Sequence, residues 1–118
     1  MPLNEVFNNL GAAQARQKKM DAAALSFTKA LEGDSSDPDY RFNLGFTLWR
    51  EGQYPAAVES LRAATERNPG DQEATALLGR ALKADAPRAG ELRSENRERV
   101  KTNYDEEAYR QLQAELKK

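Results

Sequence analysis

The stretch Asn43-Leu44-Gly45-Phe46-Thr47-Leu48-Trp49-Arg50-Glu51-Gly52-Gln53-Tyr54-Pro55-Ala56-Ala57 decides the fold. Its Leu44-Gly45 pair lies midway between Leu10-Gly11 and Leu78-Gly79, so one dipeptide recurs at a constant interval of 34 residues. The flanks keep the interval: Ala23, Phe27 and Ala30 in the first copy correspond to Ala57, Leu61 and Ala64 in the second. A fixed period of this size marks a stacked array, in which each unit buries its contacts with its neighbours.

Each recurring residue has a physical task. Glycine at positions 11, 45 and 79 allows two helices to cross closely, and the small alanines serve the same crossing from the second helix. Leu10, Leu44 and Leu78 fill the seam between them. Gly52, after Arg50-Glu51, ends a helix and lets the chain reverse. Asp37 before Pro38 reads as an N-cap followed by proline in the first turn. Apolar residues within the segments recur every three or four positions, as helices require.

Together, Asn43-Leu44-Gly45, Gly52, Tyr54, Ala57, Leu61, Ala64 and Pro69 resemble a tetratricopeptide repeat. The resemblance implies an all-α fold: a right-handed superhelix of antiparallel helix pairs (a tetratricopeptide repeat solenoid) with a C-terminal capping helix. Residues 4–84 divide into repeats 4–37 and 38–71 and a half repeat 72–84. Residues 85–118 form a charged C-terminal helical cap or extension. Three departures stand out: Arg41 at a place usually aromatic, Gln14 at another, and Lys18-Lys19 where the second copy has its turn glycine.

The resemblance also implies a concave surface lined by the first helix of each repeat. The residues it assigns to peptide binding are Asn8, Asn9, Arg16, Phe42, Asn43, Phe46, Trp49, Arg50, Arg80 and Lys83. Asn9 and Asn43 suit hydrogen bonds to an extended backbone. Phe42, Phe46 and Trp49 share one helical face, and the bases lie beside it. Aromatic and arginine side chains concentrate binding energy at interfaces. The expected ligand is a peptide or helix with an apolar anchor and an acidic flank. Each aromatic has a second reading, as packing between repeats. The carboxylate clamp of chaperone-binding family members is not reproduced: Asn43 occupies one of its five places, but Asn8, Glu73, Leu77 and Ala12 occupy the other four.

Composition narrows the alternatives. Cysteine and histidine are absent, which removes thiolate chemistry and the commonest general base and metal ligand. No phosphate-binding or nucleophile motif is present, so the reading is of a non-catalytic scaffold without cofactors. Asp34, Asp37 and Asp39 crowd one loop but lack the glycine and distal glutamate of a calcium loop; capping explains them. A net charge of −1 speaks against nucleic-acid and membrane binding. The expected partner is another protein, with self-assembly or membership of a larger array as alternatives. With no signal or apolar span in the chain as given, the expected location is cytoplasmic.

The repeat register ends near Ala84. The three small places of a sixth helix fall on Glu91, Glu95 and Glu98, and Ala86-Pro87-Arg88-Ala89-Gly90 is a breaker cluster. Farther on, Val100, Tyr104, Ala108, Leu112 and Leu116 recur every four residues, and Glu95–Arg99 is a helix-supporting pair. These features predict a final helix that covers the open end of the stack. Folding into the concave groove, in competition with a ligand, and docking on a second copy are the other readings.

Overall fold

A computed structural model describes residues 3–89, 91, 97–101, 110 and 113–116. Among them there is no strand. Five helices follow one another: α1 (Leu3–Arg16), α2 (Met20–Gly33), α3 (Pro38–Arg50), α4 (Tyr54–Arg67) and α5 (Gln72–Leu82). Each packs on the next, and α3 also touches both α1 and α5. The odd-numbered helices therefore share one side of the stack.

The cap of α3 follows the residue foreseen for it. The Asp37 carboxylate accepts from the Asp39 amide at 2.8 Å, with Pro38 in the first turn. Asp71 does the same for α5, accepting from the Ala74 amide at 3.1 Å. At the other ends of α1, α3 and α5 one motif appears three times. Lys19, Gln53 and Asp85 donate their amides to the carbonyls of Gln14, Leu48 and Arg80, each at 2.9 Å. The preceding residues, Lys18, Gly52 and Ala84, sit at φ values of 63°, 77° and 53°. This is the left-handed helix-terminating turn that favours glycine. Lysine and alanine adopt it here at two of the three places.

Ala84 comes early. Lys18 and Gly52 are separated by the repeat interval, which puts the next turn at position 86. The third turn arrives two residues sooner, and the chain leaves α5 toward α3: the Trp49 indole donates to the Asp85 carbonyl at 2.6 Å.

The glycines explain the stacking. A Cβ on Gly11 would lie 2.6 Å from the Phe27 ring, and one on Gly45 would lie 2.6 Å from Leu61 Cγ. Phe27 and Leu61 are fully buried over their glycines. Gly79 departs from the expectation of a close crossing, since a Cβ there would meet nothing within 4 Å. The reason is that no helix follows α5 in the place where α2 covers α1 and α4 covers α3 among the described residues.

The departures from the repeat pattern are compensated by polar contacts. Gln14 accepts from Ser26 Oγ at 2.6 Å, joining α1 to α2 where the second copy packs Leu48. Arg41 turns outward to the Ser35 carbonyl, and buried Tyr40 fills the joint instead, its hydroxyl accepting from Asn4 Nδ2 at 2.9 Å.

The expected capping helix lies largely outside the described residues; within it, Arg110 and residues 113–116 are helical. Residues 97–101 are not helical, which corrects the placing of Arg99 and Val100 in that helix. The partners of these side chains lie across the stack rather than four residues along the chain.

Candidate peptide-binding groove

The hollow shared by α1, α3 and α5 is occupied by the chain itself. Asn43, one turn into α3 and fully buried, faces Arg99: its Nδ2 donates to the Arg99 carbonyl at 2.8 Å and its Oδ1 accepts from the Arg99 amide at 2.7 Å. Asn9 on α1 repeats the arrangement on Lys101, with both bonds at 2.7 Å. Asn8 adds a second donor to the Arg99 carbonyl at 2.8 Å and accepts from Asn43 Nδ2 at 2.7 Å, tying α1 to α3. Alternate residues thus present both backbone groups to the same side, the period-two repeat of an extended chain. Carboxamides that pair with main-chain N–H and C=O hold a backbone whatever its side chains.

Side chains complete the enclosure. The Arg99 guanidinium lies 3.7 Å from the centre of the Phe42 ring. It also forms a two-pronged bond to Asp71 and reaches Glu73 at 3.2 Å and Asp39 at 3.4 Å. Lys101 Nζ sits between Asp37 at 2.9 Å and Asp39 at 3.1 Å, with the Tyr40 ring 5.3 Å away. Arg97 lies 5.2 Å from the Phe46 ring and within 3.7 Å of Glu73 and 3.6 Å of Glu91. Glu98, buried, turns to Arg50 at 3.0 Å. Val100 is exposed.

The charges respond. The Arg99 hydrogen bond holds the Asp71 carboxyl below its usual range, against the opposing effect of burial. Burial alone would lower the Lys101 ammonium, but Asp37 and Asp39 together raise it. Burial, with Asp37 beside it, pushes the Tyr40 phenol up. Upstream, Arg80 binds Asp85 and Glu91, and the Arg80 hydrogen bond holds Glu91 at about 2.

Of the residues singled out by sequence, Asn8, Asn9, Phe42, Asn43, Phe46, Arg50 and Arg80 meet around this segment and the turn leading to it. Arg16, near the end of α1, and Lys83, just past α5, are exposed and do not join them among the described residues. Trp49 is fully buried, its ring 4.6 Å from the Arg80 guanidinium. Phe42 and Phe46 are also closed over, each beneath an arginine. The aromatic row is therefore a floor for cations, which alters the expectation of an open socket for an apolar anchor. Among the described residues, Arg50 and Arg80 take the chain's own Glu98 and Glu91.

The residues assigned to peptide binding leave out the acidic side of the groove, although the resemblance also points Asp39 and Glu73 into it. Asp37, Asp39, Asp71 and Glu73 line it, and the signal was available: carboxylates at 37 and 39 recur at 71 and 73, one repeat interval later. Asp37 was legible as a helix cap, and that role hid the other.

A stack of paired helices whose odd members enclose an extended segment defines a helical-repeat protein. A sequence model of the tetratricopeptide repeat matches residues 14–81, more than half of the chain, and the chain belongs to the tetratricopeptide repeat family. Members are in general non-catalytic scaffolds for protein–protein interaction. Among the described residues no helix is long and apolar enough to cross a membrane, and no three His, Cys, Asp or Glu side chains are placed so that they could hold a metal ion together.

Proposed function

We propose that this chain is a non-catalytic scaffold whose concave groove holds an extended segment of another polypeptide. The observation that carries the reading is the paired amide grip of Asn9 and Asn43 on alternate residues of a non-helical segment. Arg50 and Arg80 are the proposed places for acidic side chains of the ligand. Arg16 and Lys83 extend the surface at its ends.

The test uses the full chain with Arg99→Ala and Lys101→Ala, which weaken the resident segment. Peptides selected on it from a random display library should bind, and Asn43→Ala should abolish that binding with helicity retained by circular dichroism. Peptides that bind the Asn43→Ala chain equally well would place the binding surface elsewhere.

A second reading, self-assembly, is favoured by one feature. Among the described residues nothing covers Gly79 and Leu82 is 58% exposed, so α5 presents a surface of the kind α1 and α3 bury. Two copies meeting there would show a mass that rises with concentration in sedimentation equilibrium. A mass fixed at one chain across the micromolar range rules this reading out.

A further inference from the structure

We propose that the groove selects an extended segment with cationic side chains at alternate positions, and that Arg97-Glu98-Arg99-Val100-Lys101 is a resident copy that such a partner displaces. The proposal rests on the groove reading above and adds the chemistry of the occupant.

Three observations converge on it. First, the cations alternate along the segment, and each meets a different ring: Arg97 with Phe46, Arg99 with Phe42, Lys101 with Tyr40. The ring faces carry the negative end of an aromatic quadrupole and attract positive charge. Second, carboxylates stand beside every ring. Asp37 and Asp39 flank the Lys101 place, Asp71 and Glu73 the Arg99 place, and Glu73 and Glu91 the Arg97 place. Without cations in the groove, Asp37, Asp39, Asp71 and Glu73 face one another with like charge, so an incoming segment must supply positive groups at this spacing. Third, the side chains between are treated differently. Glu98 meets Arg50, while Val100 is turned to solvent, so the pattern read is cation, acid, cation, any residue, cation.

The resident segment is held by polar and ionic contacts around an outward Val100, a mode of attachment open to exchange. Because it belongs to the same chain, it competes at high effective concentration, and apparent affinity for an external segment falls by the fraction of chains with the groove vacant.

The experiment titrates fluorescent synthetic peptides into two full-length chains, wild type and Arg99→Ala/Lys101→Ala. One peptide carries the sequence of residues 96–102; another has Glu in place of its three cations. The basic peptide should bind the double variant at least about tenfold more tightly than wild type. Its binding should weaken with salt and fall at least tenfold in a chain that also carries Asp39→Asn and Glu73→Gln. The acidic peptide should not bind. Equal or better binding of the acidic peptide, still abolished by Asn43→Ala, overturns the cation pattern and leaves the groove reading intact. Equal affinity of the basic peptide for both chains overturns the role of the resident segment. If neither peptide binds, or binding ignores Asn43→Ala in a chain that melts normally, the proposal and the groove reading fall together.

Discussion

Arg99 and Asp71 form a two-pronged ion pair across the stack, and Asp71 is also the residue that caps α5. One carboxylate thus fixes the start of a helix and the seat of a segment 28 residues farther along the chain. Loss of the guanidinium leaves the cap in place and removes the seat.

Arg99→Ala is accordingly expected to destabilise the docked segment by about 1.5–3 kcal/mol, the range for hydrogen bonds to charged groups. Hydrogen exchange at the Arg99 and Lys101 amides should accelerate by at least tenfold, while amides within α3 and α4 stay protected. Arg99→Lys should restore part of the effect, since an ammonium keeps charge but loses the two-pronged geometry.

Acid should release the segment. Glu91 is held near 2, below the ordinary 4.5, chiefly by the Arg80 hydrogen bond, and Asp71 is lowered by Arg99. A carboxylate with a depressed value contributes fully above its ordinary value and loses that contribution as pH falls toward the depressed one. Docking should be intact above pH 4.5 and decline toward about 2, read from Trp49 emission, because the indole donates to Asp85 beside Arg80. Glu91→Gln should flatten the upper part of that decline.

Alanine at the three repeat glycines should give opposite results. At Gly11 and Gly45 the new methyl meets Phe27 and Leu61 at 2.6 Å, so a loss of about 1–3 kcal/mol is expected from overpacking. At Gly79 no described residue lies within 4 Å, and the better helix former should add about 0.5–1 kcal/mol. Urea melts of the three variants decide it.

The left-handed turns make a parallel series. Lys18→Gly and Ala84→Gly relieve a side chain at positive φ and should each raise stability by up to about 1 kcal/mol, whereas Gly52→Ala should lower it by a similar amount. Thermal melts suffice, provided the helix content is unchanged.

Much of the fold was legible because its determinants repeat. The interval set by Gly11, Gly45 and Gly79 names the helix pairs, and the two alanine triads name the second helices. Asn9 and Asn43 were legible as a backbone grip because both sit beside that glycine register. Trp49 was less so: an aromatic on the inner face of a helix reads alike as anchor or as packing, and its complete burial by α5 and the following turn depends on contacts that spacing does not encode. The C-terminal part misled for a related reason. Charges of alternating sign four apart look like helix-supporting pairs, yet Arg97, Arg99 and Lys101 also repeat every second residue. Their partners Asp71, Glu73 and Asp39 are adjacent only after the repeats stack.

The premature turn at Ala84 decides more than where α5 stops. A helix advances by about 100° per residue, so two further residues would swing the exit of the chain by about 200°, away from Trp49 and toward the flank of Gly79, which no described helix covers. The smallest insertion that restores the phase therefore trades a self-filled hollow for an array free to grow another pair. In this architecture, occupancy and length are settled by the same half turn.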